Sequence, residues 1–180
     1  MAIQRRTVLK RLADHDDEVL SYFEPSYGLL SDNYHYKVVI SYLFVRLENA
    51  HREALYYGAL KHGVDKDLAR GAIDRIDLTR NGFRELFLVI YGYKISRAMI
   101  EKIKRAEKTR DDILHGRKVS NDRYPEAVLD VFGYFSDLNV LTYDKSQIWL
   151  AGDKRGMLGA RVVHSRATSR WILKGMGLLQ

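Results

Sequence analysis

Arg110 and His115 lie in the stretch "RDDILH", where four residues separate a permanent cation from the side chain whose ordinary pKa is closest to neutrality. An imidazole can give or take a proton in a transition state, and a guanidinium can hold charge that develops on phosphoryl oxygens. Asp111 stands four residues before His115, so on a helix the two share a face. A carboxylate there would raise the imidazole pKa and fix its orientation. Together the three residue types suit proton transfer beside an anion.

Spacing alone does not carry that reading, because the chain holds eighteen Arg and six His. At that abundance chance supplies about two Arg-to-His pairs with four to six residues between. A second pair does occur, Arg46 and His51 in "RLENAH". Their surroundings separate the two. On a wheel of about 100° per residue, Met99, Ile103, Ala106 and Leu114 fall within about 40° of Arg110, which places a charge at the centre of an apolar stripe. Lys104, Lys108, Asp111 and His115 gather beside it. A guanidinium on a buried face requires a partner or a wet cavity, since an isolated buried charge costs several kcal/mol or more. Arg46 instead leads into Leu47, a core position, and reads as a charge on a helix flank. An ordinary reading of the first pair stays open beside the chemical one. His115 precedes Gly116 and would stabilise the carbonyl end of a helix, with Arg110 paired to Glu107 or to an acid of another helix.

The elements that must position these residues are helices. Apolar residues recur at three- and four-residue intervals, and the only prolines are Pro25 and Pro125. Helices are expected over about residues 5–21, 34–61, 65–77, 80–91 and 94–115, from a first turn at Pro125 in "SNDRYPEAV" to about Leu141, and over 166–175. The clearest stripe is Tyr36, Ile40, Leu43, Leu47, Ala50, Ala54 and Tyr57, ended by Gly63. "EPSYGLLSDN" has the composition of a loop. Gly116 stands where a left-handed residue commonly ends a helix. After residue 142 the chain turns rich in glycine and arginine. The expected architecture is therefore all-α, an antiparallel bundle of about five to six helices over 1–142 with a C-terminal extension over 143–180 that carries a short last helix.

Composition bounds the partners. The 180 residues, 46% hydrophobic, suffice for one sizeable core, and a net charge of +7 favours phosphates or another acidic partner. With no cysteine, thiol nucleophiles and thiolate metal sites are excluded. The N-terminus lacks an uninterrupted apolar core, and no stretch reaches the roughly 20 apolar residues a membrane span needs. A soluble, cytoplasmic protein without membrane contact is expected.

An arginine, a polar residue directly after it and a histidine four residues further on, late in a long helix of an all-α bundle, resemble the signature of the HEPN superfamily. The resemblance covers about residues 1–142. It implies a homodimer in which the motif helices of two subunits face one another across a composite cleft, so that Arg110 meets RNA phosphate at a subunit interface. Many members are metal-independent endoribonucleases that serve as toxins or in antiviral defence, some held by a partner antitoxin, and others are non-catalytic dimerisation or nucleotide-binding modules. The resemblance assigns His115 general acid or base work on the 2′-hydroxyl, Arg110 the phosphoryl charge and Asp111 the orientation of the site, with 2′,3′-cyclic phosphate as product. Lys104, Lys108, Arg117 and Lys118 would track the RNA backbone, and neither metal nor cofactor is implied.

Other features carry plainer readings. Asp14, His15, Asp16 and Asp17 are consecutive and point in different directions on a helix, so they read as a solvated acidic face. "GDKRGMLGAR" matches no phosphate-loop fingerprint and reads as a connector. In "RVVHSRATSRWILKG", Arg161, Arg166, Arg170, Lys174 and Trp171 could meet RNA by charge and stacking, while the plainer role of Trp171 with Ile172 is to dock the last helix. The twelve tyrosines read as packing residues.

Overall fold

A computed structural model describes residues 4–154 and 163–179, so most of the "GDKRGMLGAR" segment, including Arg161, lies outside the described residues. Among the described residues every regular element is a helix, and there are nine. They are α1 (Arg5–Leu12), α2 (Asp17–Tyr22), α3 (Glu24–Ser31), α4 (Tyr36–Lys61), α5 (Lys66–Asp74), α6 (Arg80–Tyr91), α7 (Arg97–Leu114), α8 (Arg123–Ser146) and α9 (Arg166–Gly175). None is long and apolar enough to cross a membrane.

Among the described residues eight helices precede the last one, where five to six are expected, for two local reasons. The first expected helix divides at "ADHD", where short polar side chains compete with helical bonding and Asp17 and Glu18 open a new first turn. "EPSYGLLSDN" is helical rather than a loop. Pro25 occupies the first helical positions, where its missing N–H costs nothing, and the buried Ser26 and Leu30 anchor the turn. Asn33, between α3 and α4, takes the left-handed conformation at φ 65°.

The α4 stripe folds inward as its spacing demands, with Ile40, Leu43, Leu47, Ala50 and Ala54 all buried. The described chain falls into two compact units. The first holds the residues up to Glu48 together with Ser96–Leu138, and its core is aromatic: Tyr22 stacks on Phe135 at 4.6 Å, while Phe23 lies 4.8 Å from Phe132 and edge-on to Phe135 at 4.9 Å. Such pairs add about 0.5–1.5 kcal/mol each beyond their buried area. Between α7 and α8, Lys102 bonds Asp137 at 2.7 Å, and Arg105 grips Asp130 through two bonds of 3.0 and 2.7 Å.

The second unit holds Asn49–Ile95 together with residues from Asn139 onward. Here α6 lies tight against α4: the Tyr91 hydroxyl donates to the Ala54 carbonyl at 2.6 Å, and a Cβ at Gly58 would fall inside van der Waals contact with Ile90 Cγ2 and 3.0 Å from Tyr91 Cζ. Isoleucine is branched at Cβ and cannot swing that methyl away freely. Gly58→Ala is therefore expected to lose about 1–3 kcal/mol of stability to overpacking, although alanine alone would favour the helix by about 1 kcal/mol. Urea unfolding decides the sign, and a stabilised variant would refute the close approach.

The last helix forms over the expected residues. Ser165 Oγ caps it by accepting from Thr168 N–H at 3.2 Å, and Ser169 Oγ accepts the Asp65 N–H at 3.0 Å, tying α9 to the start of α5. Its inward edge is Ser169 and Leu173, both fully buried, whereas Trp171 is 76% exposed. The expectation that Trp171 docks this helix is therefore corrected. Two residues on from Ser169, a side chain has turned about 200° away from the packed edge.

Candidate functional site

Helix α7 presents the Arg110 side chain to α4, where Phe44 and Glu48 are one turn apart and form a seat for it. The guanidinium carbon stands 4.8 Å above the Phe44 ring, and Nη1 donates to Glu48 Oε1 at 3.3 Å. Nε and Nη2 both donate to Asp111 Oδ1, at 3.1 and 2.9 Å. This is how the chain places a permanent charge on an apolar stripe. The aromatic face takes the cation, two carboxylates neutralise it, and the Arg110 side chain keeps 23% of its surface in solvent. The rest of the stripe behaves as read, with Met99, Ile103 and Ala106 buried, except that Leu114 is 66% exposed.

His115 is the C-cap of α7. Its N–H bonds Asp111 O at 3.0 Å, Gly116 N–H bonds Ile113 O at 3.1 Å, and Arg117 N–H bonds Asp112 O at 2.8 Å. The last two bonds and φ 66° at Gly116 make a Schellman termination, a conformation glycine adopts without steric penalty. The backbone under His115 is thus fixed while its ring is exposed at the carbonyl end of the helix. Asp111, offered to His115 by its spacing, gives its Oδ1 to Arg110.

The four cations expected to track a backbone are all exposed, and they do not form one group. Lys104 pairs with Glu101 at 3.2 Å. Lys108 lies away from Arg110, in a cavity of about 300 Å³ between α7 and α8 lined also by Arg105, Thr109, Arg123, Glu126 and Asp130. Arg117 reaches Asp112 at 3.4 Å, and Lys118 follows it. The structure therefore gathers Arg110 and Asp111 on the α4 side of α7, with His115 at its end, and puts Lys108 on the α8 side.

Two contributors were not singled out in the sequence. Glu48 is the acid from another helix that Arg110 needed, and a charge on an apolar stripe was the signal that such an acid exists. Arg123, the first residue of α8, donates to Asp112 Oδ2 at 2.8 Å and to Thr109 Oγ1 at 3.1 Å. That guanidinium, with Arg117 after it, holds the Asp112 carboxyl below the usual carboxylate range. Thr109 is 2% exposed and donates back to Arg105 O at 3.2 Å, so this cluster clamps the loop after His115 to the last turns of α7.

The second Arg-to-His pair is built into packing. Arg46 donates to Tyr22 O through Nε at 3.1 Å and Nη2 at 2.7 Å and stacks on the Tyr22 ring at 4.3 Å. The His51 ring stacks on Phe83 at 3.9 Å, and burial, with the Arg84 charge behind it, pushes its pKa down to about 3. In the acidic run, Asp14, Asp16 and Asp17 are exposed. His15 Nδ1 shares a hydrogen bond with Ser136 Oγ at 2.9 Å, and burial holds its pKa below the ordinary value. Among the described residues no three His, Asp or Glu side chains are grouped as a metal ion would require.

No protein-family model matches this chain, and neither a curated protein nor a solved structure matches it.

Proposed function

We propose that the protein is a HEPN-type, metal-independent endoribonuclease that acts as a homodimer in the cytoplasm, in the role of a toxin or antiviral defence effector open to restraint by an antitoxin protein. The single observation that carries the proposal is the Arg110 seat: a half-buried guanidinium at the end of α7, with the exposed His115 ring on a backbone fixed one turn further on. A helical bundle with its motif helix paired across a two-fold axis would bring two such sites together. Along α4, Val38, Tyr42 and Val45 are exposed in steps of four and three, Tyr34 is exposed just before the helix, and Leu114 is exposed next to His115. An apolar face of that kind suits a second copy of the chain.

In the composite cleft one His115 takes the proton of the RNA 2′-hydroxyl as its oxygen attacks the adjacent phosphorus. The other protonates the departing 5′-oxygen as the P–O5′ bond breaks, leaving a 2′,3′-cyclic phosphate and a 5′-hydroxyl. Arg110 leaves part of its carboxylate pairing to meet the phosphoryl oxygens, and Asp111 keeps the guanidinium in register. Lys104, Lys108, Arg117 and Lys118 supply long-range attraction for the RNA backbone.

The double carboxylate embrace of Arg110 favours a second reading, a non-catalytic HEPN-like dimeric module that binds RNA, a nucleotide or a protein. Incubation of purified protein with RNA in EDTA separates the two. Fragments ending in 2′,3′-cyclic phosphate are expected, and intact RNA from a dimeric protein that still binds it would leave the module.

A further inference from the structure

The outward face of α9 is not used by the site on α7. This helix carries Arg166, Arg170 and Lys174 and no acidic residue, and its inward edge is already occupied by Ser169 and Leu173 against the rest of the second unit. Trp171 points the other way and leaves 76% of its surface in solvent, the largest exposure among the large apolar side chains of the described residues. Tryptophan is the side chain that gains most from leaving water or from a planar partner, so an isolated one held outward on an ordered helix calls for an occupant.

We propose that the α9 face is a stacking site for single-stranded nucleic acid, in which a base lies on the Trp171 indole and Arg170 and Lys174 hold the adjoining phosphates. Lys174 is three residues after Trp171 and Arg170 one before it, and the two cations are i and i+4 neighbours on the same edge of the indole's side of the helix. Both are exposed, and among the described residues no carboxylate pairs with either. Arg166 is partly neutralised, its Nη1 lying 3.7 Å from Asp65 Oδ1, and is left out of the site.

The rest of the face decides between classes of partner. Beside Trp171 it presents Ala167, Thr168 and Gly175, so it lacks the row of large apolar residues that a helix-binding protein groove needs. It equally lacks the broad apolar side with which an amphipathic helix enters a lipid surface. One planar aromatic group with two cations along one edge of it is an arrangement that tolerates any base and follows a charged backbone. The inference does not rest on nuclease activity and concerns binding alone.

The test uses a fluorescein-labelled 2′-O-methyl oligouridylate, which lacks the attacking hydroxyl and so reports binding whether or not the protein cleaves RNA. Anisotropy titrations of the full chain are expected to show Trp171→Ala weakening binding about 5- to 100-fold, with Trp171→Phe keeping part of the affinity. Removing Arg170 and Lys174 together is expected to lower the slope of log affinity against log salt by about 1.4, from about 0.7 per charge on a single strand. Trp171 is exposed, so circular dichroism of the alanine variant is expected to match that of the wild type. Unchanged oligonucleotide affinity in Trp171→Ala would overturn the proposal. So would a wild-type protein that ignores the oligonucleotide but binds phosphatidylglycerol vesicles through Trp171.

Discussion

His115→Ala is expected to reduce RNA cleavage in EDTA by about 10²- to 10⁴-fold, the usual contribution of a positioned acid or base, with the affinity for uncleavable RNA little changed. The exposed ring makes few packing contacts to lose, so its removal tests chemistry rather than folding. Arg110→Lys is the sharper companion. Lysine keeps the charge but replaces the planar fork with a compact ammonium, which cannot reach Glu48 and Asp111 at once or grip two phosphoryl oxygens. A loss of about 10²-fold or more in cleavage with melting temperature preserved is expected for it. Activity that survives both substitutions would remove the nuclease reading, whereas loss in Arg110→Lys alone, accompanied by lower stability, would leave the arginine as a strut between α7 and α4.

What the sequence made legible was whatever one helix determines by itself. The α4 stripe, the glycine end of α7 and the limits of α9 follow from period and cap chemistry within a single element. The oddity of Arg110 was legible for the same reason, as a charge in the middle of its own helix's apolar row. The identity of its partner was not. Glu48 lies 62 residues away, and periodicity says which face is buried without saying which residue of another helix meets it. The same limit explains why Lys108 was grouped with Arg110. Both sit late in α7, but the neighbour on one side is α4 and on the other α8, and only the fold shows that.

Two of the departures from local reading have opposite causes. In α3 the composition Pro, Ser, Gly, Ser, Asp, Asn argued for a loop, and burial of Leu30 and Ser26 outweighed it. At Trp171 residue type argued for burial, and the positions of Ser169 and Leu173 on the wheel outweighed that. Tertiary packing selects the inward face from geometry, and a serine on that face is buried ahead of a tryptophan off it.

The fold is expected to lose stability as the pH falls from 6.5 toward 3, with His51 as the main cause above pH 5. Its ring is stacked on Phe83, and its pKa in the folded protein is pushed down to about 3 from an ordinary 6.5. Between those values the unfolded chain binds a proton that the folded chain refuses. Stability therefore rises with pH through this window and is complete above 6.5. The slope is about 1.4 kcal/mol per pH unit, so roughly 2 kcal/mol is lost between pH 6.5 and 5, on the way to a limit on the order of 5 kcal/mol near pH 3. His15, also held below its ordinary pKa, contributes in the same direction, and Asp112, kept ionised by Arg123, adds its loss only at lower pH. Urea unfolding of wild type and His51→Phe at pH 7, 6 and 5 isolates the effect. Phenylalanine keeps the stack on Phe83 and cannot be protonated, so the difference between the two proteins is expected to shift in favour of the variant by roughly 2 kcal/mol over that range, whatever its value at pH 7. Parallel stability curves would mean that the imidazole is open to water in the folded protein and that the ring stack does not exclude it.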